Sequence, residues 1–249
     1  MHVARFSLSP RARMQFGVFL LAYLLYSVAR YITIGDLPVA QANADWIMKL
    51  EHHLGVASEA SVQGTLTGTW ILWILNHLYL AAQLVVLPGS LIFLFRRSRP
   101  LYYKLRNTIL ATWVISIPVY AAFPVAPPRL AESGIVDTIT SQTGFSLDSS
   151  LTTSFYNELA AVPSLHVGFA VVIGIALAAA VRSRIAKVLW LMWGPVIGLA
   201  VVATGNHYVF DIAAGVVAAG LGYALGSAAT RVKVRRPSAS GRQPAFAGA

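Results

Sequence analysis

Residues 162–181 read VPSLHVGFAVVIGIALAAAV, a short polar motif followed by a long apolar run. The segment is about twenty residues long, which is the length that an α-helix needs to cross the hydrocarbon core of a bilayer. A lone strand cannot satisfy its backbone hydrogen-bonding groups in lipid, so a spanning segment of this kind is helical. This stretch therefore predicts an all-α integral membrane protein with Ser164 and His166 at one end of a transmembrane helix.

The composition of the whole chain indicates several such spans. Of its 249 residues, 57% are hydrophobic and 11% are charged, and the mean hydropathy is +0.65. Soluble domains carry roughly 25% charged residues, so a charge content below half of that value argues for a polytopic membrane protein. Apolar segments predict a bundle of six transmembrane helices, at residues 15–34, 69–95, 107–126, 162–181, 186–204 and 207–228.

The distribution of charge predicts how this bundle is oriented. Sixteen of the 19 Lys and Arg residues fall in four clusters, at the two termini and in segments 96–106 and 182–187. All nine acidic residues fall on the other side of the predicted spans or at its edge. Because cytoplasmic loops are enriched in Lys and Arg, both termini are predicted to be cytoplasmic and loops 35–68 and 127–161 extracytoplasmic. The net charge of +10 thus reflects topology, and we expect no nucleic-acid partner.

This topology divides the chain into three parts. A basic cytoplasmic N-terminus (1–14) precedes a six-helix membrane domain (15–230), and a basic cytoplasmic tail (231–249) follows it. The tail is rich in Ser, Pro and Gly, a composition that favours disorder.

A histidine and an aspartate near the start of the last span form the first candidate for chemistry. His207 and Asp211 are four residues apart, so on a helix their side chains share one face. An aspartate that accepts from one ring nitrogen of a histidine fixes the tautomer and makes the other nitrogen a better nucleophile or base. The alternative is a buried polar pair that joins two helices.

Two further polar elements lie at predicted outer helix ends. In Pro163-Ser164-Leu165-His166, the proline is predicted to be the first helical residue, and the free N–H groups of a helix N-terminus favour an anion. Arg129 ends the proline-rich segment 123–129, and a planar guanidinium suits bidentate phosphate binding. A serine cap beside an interfacial histidine, and an arginine at lipid headgroups, are the corresponding alternatives. Because all three elements are predicted to lie on the extracytoplasmic side, we expect them to form one phosphoryl-transfer centre.

The residues of these elements carry a resemblance to a known family. Pro163-Ser164-x-His166 and His207-x-x-x-Asp211 resemble the second and third signature motifs of the type 2 phosphatidic acid phosphatase (lipid phosphate phosphatase) superfamily. The stretches Phe-Pro-Val-Ala-Pro-Pro-Arg at 123–129 and Thr-Gly-Asn-His-Tyr at 204–208 resemble its branch related to inositol phosphorylceramide synthase.

The resemblance implies a six-helix core and a mechanism without metal or cofactor. It implies that His207 attacks phosphorus to give a phosphohistidine and that Asp211 orients this histidine. His166 would protonate the leaving oxygen and then activate the acceptor.

The chain departs from the family pattern at its phosphate-binding cations. Ala122 and Val201 stand where the first and third motifs usually carry Lys and Arg, and Leu165 replaces a glycine of the second motif. We expect the phosphate to be bound by Arg129, Ser164, Asn206 and Arg30. Asn76, Tyr79 and Gln83 form a polar stripe on the second span, which places Tyr79 and Gln83 as substrate-lining residues, although hydrogen bonding between helices is the more common reason for such a stripe.

The sequence therefore predicts a phosphatase or phosphotransferase of the plasma membrane, with its site on the extracytoplasmic side. The substrate would be a lipid phosphate ester or diester, and the acceptor would be water or a hydroxyl group. A reduced set of cations favours a diester, which carries less charge than a monoester. Two alternatives stay open: a proton-coupled transporter and an inactive scaffold of the same fold. The sequence makes no prediction of the oligomeric state.

Overall fold

The computed structural model describes residues 9–32, 35–131, 133–147, 149 and 157–235, without the side chains of residues 30, 32 and 229–235. Eleven α-helices lie in these ranges: α1 (Pro10–Ile32), α2 (Leu37–Leu54), α3 (Glu59–Leu66), α4 (Trp70–Ala81), α5 (Leu87–Arg97), α6 (Arg99–Ala122), α7 (Thr138–Thr143), α8 (Leu165–Ala180), α9 (Arg184–Leu191), α10 (Trp193–Ala203) and α11 (Val209–Arg235). A π-helical turn (Ala82–Val86) joins α4 to α5, and a 3₁₀ turn (Pro128–Leu130) follows α6. The only extended pairing in the described ranges is one isolated bridge between Val125 and Ala160. The predicted all-α class is confirmed.

Four helical segments are long and apolar enough to cross a membrane: Pro10–Ala29, Trp70–Arg97, Arg184–Ala203 and Val209–Ala228. They correspond to four of the six predicted spans. The helix α8 is apolar but has only 16 residues, because it begins after Ser164. The helix α6 is 24 residues long, but Arg106 and Asn107 reduce the apolar character of its central part. The spans predicted at 107–126 and 162–181 therefore stay predictions.

Close helix packing fixes the start of α8 against α11. A β-carbon on Gly215 of α11 would overlap the carbonyl oxygen of Ser164, the residue that precedes α8. The backbone N–H of Ser164 donates to the carbonyl of Asp211 over 3.1 Å. A β-carbon on Gly168 of α8 would lie 2.8 Å from the carbonyl oxygen of Gly215, which is also too close. These contacts set the relative position of the two segments that carry His166 and Asp211.

The helices α2 and α3 lie against the start of α11. The helix α2 buries Ala40, Ala44, Ile47 and Glu51, a three- and four-residue spacing that places all four on one face. The three apolar members pack with Tyr208, which immediately precedes α11. The first predicted outer loop is therefore mostly helical and packs against the site.

The last helix extends beyond the predicted domain boundary. The helix α11 continues to Arg235, whereas the tail is predicted to begin at residue 231. Residues 232–235, Val-Lys-Val-Arg, contain no helix breaker, so the helix can continue through them. The rest of the predicted disordered tail, and the first eight residues of the predicted N-terminal part, lie outside the described residues.

Candidate active site

Ser164 starts α8 as its N-cap residue. Its hydroxyl accepts the backbone N–H of Val167 over 3.5 Å, and the helix begins at Leu165. Serine is among the preferred residues at this position, because its oxygen satisfies one of the free N–H groups. The prediction that Pro163 is the first helical residue is wrong: the proline lies outside the helix, and its carbonyl accepts from the Tyr120 hydroxyl over 2.9 Å. His166 is consequently in the first turn of α8.

A glycine turn between α10 and α11 presents His207. Gly205 follows the end of α10 with a φ of 73°, in the left-handed region that ends many helices. The reversal lets the N–H groups of Asn206 and His207 both bond the Val201 carbonyl, over 3.0 and 3.1 Å. His207 is therefore held in a turn, two residues before α11 begins at Val209.

His207 and Asp211 form a buried pair. The His207 Nδ1 lies 3.1 Å from Asp211 Oδ2, with the two residues only 6% and 0% exposed. The predicted contact is present, although the prediction that both residues lie on the helix is wrong for His207, which lies in the preceding turn. Asp211 Oδ2 also accepts the N–H of Tyr208 over 2.9 Å. A carboxylate at Nδ1 favours the proton there and leaves the lone pair on Nε2.

His166 lies across from His207. The centroids of the two imidazole rings are 6.1 Å apart. His166 also stacks on Tyr79, with ring centroids 4.1 Å apart and planes 18° apart. The start of α8 and the turn before α11 thus bring the two predicted histidines to one place.

Arg129 is attached to the same turn. Its backbone N–H donates to the Gly205 carbonyl over 3.0 Å, and its Nε donates to Asn206 Oδ1 over 3.2 Å. The Asn206 amide donates in turn to the carbonyl and the hydroxyl of Thr204, over 3.2 and 3.0 Å. The amide oxygen of Asn206 is therefore used to orient the guanidinium.

These side chains line a cavity of about 570 Å³. Its polar lining residues include Arg129, Asn157, Glu158, His166, Asn206 and His207. Its apolar or aromatic lining residues include Tyr23, Tyr26, Tyr79, Leu80, Leu84, Trp113, Phe145, Leu147 and Phe169. The cavity therefore combines polar groups with an apolar and aromatic lining.

The remaining predicted residues differ in their positions. Tyr79 and Gln83 both line the cavity, and Gln83 lies in the π-helical turn, a kind of irregularity that is frequent at functional sites. Asn76 of the same stripe bonds Gln142 and Thr138 instead, which is a structural role. Ser164 is fully buried and is not on the cavity wall. Arg30 belongs to α1, but its side chain lies outside the described part of the chain.

Two buried carboxyl groups beside the site, those of Glu51 and Glu59, were not predicted from the sequence. They are 1% and 6% exposed, and both bond the first turn of α11. A signal for Glu51 exists in the sequence, because it continues the apolar stripe of α2 at helical spacing. Among the described residues, no three His, Asp or Glu side chains are grouped closely enough to hold a metal ion.

Comparison with known families assigns the chain. The family model of the PAP2 superfamily matches residues 45–225, which is more than half of the chain. The protein belongs to the PAP2 superfamily. All polar residues of the cavity wall lie within the matched range of this PAP2 protein. No curated protein and no solved structure matches the chain. Family membership indicates phosphatase-type activity, and the apolar helices indicate a membrane protein.

Proposed function

We propose that this PAP2 protein is a membrane-embedded phosphatase or phosphotransferase that acts on a lipid phosphate ester or diester through a phosphohistidine at His207. The observation that carries the proposal is the pair of histidines, His166 and His207, with ring centroids 6.1 Å apart on the wall of one cavity that also contains Arg129.

The arrangement suits a two-step transfer. In the first step, Nε2 of His207 attacks phosphorus while Asp211 holds the proton on Nδ1, and His166 protonates the leaving oxygen. In the second step, His166 takes the proton of water or of a hydroxyl group, whose oxygen then attacks the phosphohistidine. Arg129 stabilises the charge on the non-bridging oxygens, and its orientation is set by Asn206. Water as acceptor makes the reaction a hydrolysis, and a hydroxyl acceptor makes it a transfer.

The residues that line the cavity are consistent with a lipid substrate that carries a phosphodiester. Tyr23 and Tyr26 of α1 and Trp113 of α6 line the same cavity and provide an aromatic surface for an acyl chain. Of the described Lys and Arg side chains, Arg129 alone lines the cavity, and Glu158 lies on the same wall. One described cation in a cavity that is also lined by an acid favours a phosphate group with one negative charge over a dianionic monoester.

We further propose six transmembrane helices, with α6 and α8 completing the four apolar candidates, in the plasma membrane. Arg129 follows the end of α6 and His166 starts α8, so the basic segments 96–106 and 182–187 lie at the far ends of these two helices. A 16-residue helix such as α8 is ~24 Å long, which separates the site from those basic segments. Because basic loops are cytoplasmic, this separation supports a site on the extracytoplasmic face.

A substrate panel tests the proposal. The purified protein in detergent is given lipid phosphomonoesters and phosphodiesters, with and without a hydroxyl acceptor, and free phosphate and transfer products are measured. We expect turnover of at least one lipid that is unaffected by EDTA and lost in His207→Ala. Retained turnover in His207→Ala, or loss with the chelator, contradicts the proposed mechanism. A correctly folded protein that turns over no member of the panel contradicts the enzymatic function and favours the scaffold.

A further inference from the structure

The N–H groups at the start of the helix that carries Asp211 are bonded by three carboxyl groups, one from this helix and two from other helices. Tyr208 occupies the N-cap position before α11, and its side chain has no oxygen that can reach back to the first-turn N–H groups. Three carboxylates satisfy these groups instead. The N–H of Tyr208 donates to Asp211 over 2.9 Å, that of Val209 to Glu59 over 2.8 Å, and that of Phe210 to Glu51 over 2.6 Å.

Glu51 and Glu59 reach this turn from two other helices. Glu51 is in the last turn of α2, and Glu59 is the first residue of α3. A nearby buried Gln63 of α3 bonds the Ala203 carbonyl at the end of α10 over 3.2 Å. Polar side chains of α2 and α3 thus hold both sides of the turn that presents His207.

Helix capping alone does not require two buried acids. One Ser, Thr or Asn at an N-cap satisfies the same kind of N–H group and contributes only about 1 kcal/mol. Glutamates are almost never fully buried unless they are paired, because removing a charge from water is costly. The arrangement at α11 therefore suggests a role that a neutral cap does not fill.

The two carboxyl groups bond consecutive backbone N–H groups, those of Val209 and Phe210. Burial, followed by the hydrogen bond with Glu59, raises the pKa of Glu51 to about 8, while the Phe210 N–H acts in the opposite direction. Glu51 Oε2 is buried and meets no donor among the described residues. A proton on this oxygen, with Glu59 as its acceptor, would give Glu51 Oε2 a partner, while both oxygens of Glu59 already accept backbone N–H groups, those of Val209 and Ser58. The other ionisable groups whose charge acts on Glu51 and on the adjoining Tyr208 are Asp211 and the more distant Asp45.

We propose that Glu51 and Glu59 are positioning residues for the proposed phosphoryl transfer: as a carboxyl pair that shares one proton, they hold the first turn of α11 so that Asp211 keeps His207 in its attacking orientation. The inference rests on the proposed function. Loss of the shared proton in alkaline solution places two negative charges side by side in a buried site, which separates α2 and α3 from α11 and lowers turnover.

Four variants test this role through kcat, KM and the pH profile. Glu51→Gln keeps an oxygen for the Phe210 N–H and supplies a permanent donor to Glu59, so it mimics the protonated acid. We expect its kcat at neutral pH to stay within ~3-fold of the original protein and its alkaline limb to move upward by a pH unit or more. Glu51→Ala and Glu59→Ala remove an acceptor, and we expect kcat to fall ~10-fold or more with little change in KM. The matched control is Asp45→Asn, an exposed carboxylate on the same helix whose charge acts on the site only from a distance, so its kcat, KM and alkaline limb should stay close to those of the original protein.

Amide hydrogen exchange provides a readout that needs no substrate. In detergent, peptides that cover residues 207–212 should exchange faster in Glu51→Ala than in the original protein or in Asp45→Asn. If the original protein turns over no lipid, the proposed function fails while the exchange experiment still tests the positioning of this turn. Unchanged exchange, kcat and pH profile in Glu51→Ala overturn the inference. A variant that only yields less folded protein, with the kcat and alkaline limb of the folded fraction unchanged, shows a purely structural role and also overturns it.

Discussion

Adding one methyl group at Gly215 should separate the two halves of the site. The β-carbon of Gly215→Ala would overlap the Ser164 carbonyl oxygen and lie 3.1 Å from its carbonyl carbon. Both atoms are backbone, so no side-chain rotation relieves the overlap. The start of α8 and the helix α11 must separate by about 1 Å, and a misplacement of this size can lower a rate by ~10²-fold. Since His166 is two residues from Ser164, we expect kcat to fall by this factor.

The effect on stability should be smaller than the effect on turnover. Overpacking costs about 1–3 kcal/mol, whereas replacing a helical glycine by alanine contributes up to about 1 kcal/mol in the opposite direction. The matched control is Gly220→Ala on the same helix, where an added β-carbon meets nothing within 4 Å. The assay is turnover of the best lipid substrate in detergent, with thermal unfolding measured in parallel. A Gly215→Ala enzyme with the kcat of the control refutes the reasoning that this contact sets the position of His166.

Three further predictions follow from the site. Asp211→Asn removes the charge that fixes the His207 tautomer and should lower kcat by at least ~10²-fold. Circular dichroism should show that the fold is intact. A near-normal kcat contradicts the proposed role of Asp211. Arg129→Lys loses the planar guanidinium donors and the contact with Asn206, so kcat/KM should fall by ~10–100-fold in steady-state kinetics. An unchanged kcat/KM excludes a contact between Arg129 and the substrate phosphate. The pKa of Glu51 is about 8 in the folded protein against an ordinary value of 4.5, so the folded state keeps a proton that the unfolded state releases. The stability of the folded protein should therefore decline as the pH rises from the lower pKa value to the higher one. Thermal unfolding between pH 5 and 8.5 should show this decline in the original protein and not in Glu51→Gln. If the unfolding temperatures of the two proteins fall in parallel, Glu51 is not the group responsible.

The sequence predicted that the site residues lie near one another, because chain direction and the positions of the basic segments determine which helix ends lie on the same side of the membrane. With the segments 96–106 and 182–187 on one side, the residues His166, His207 and Arg129 fall on the other. The structure brings these three side chains to one cavity.

Local helix starts were predicted less well, because they depend on competing backbone conformations. Serine is favoured at an N-cap, and this preference places Pro163 outside α8. A glycine with positive φ ends α10, so His207 lies in a turn although its spacing from Asp211 is compatible with a helix. His207 and Asp211 still contact each other, since a residue just before a helix can reach the third residue of its first turn.

The contacts of Glu51 and Glu59 with the first turn of α11 could not be predicted from short motifs. Glu51 and Glu59 are about 150 residues distant in sequence from the N–H groups that they accept. In the sequence, Glu51 is an acid on an otherwise apolar helix face. The same pattern is expected of a helix that lies at the membrane interface, so it does not by itself indicate a buried acid. Tertiary contacts of this range require the fold.

Identification of the covalent intermediate tests the central claim most directly. The purified protein is mixed with a lipid substrate labelled at phosphorus, quenched in base to preserve an acid-labile phosphoramidate, digested, and mapped by mass spectrometry. We predict one labelled residue, His207, with the adduct mass showing whether phosphate alone or a phosphate with its headgroup is carried. A label on any other residue, or turnover by His207→Ala at the rate of the original protein, contradicts the account.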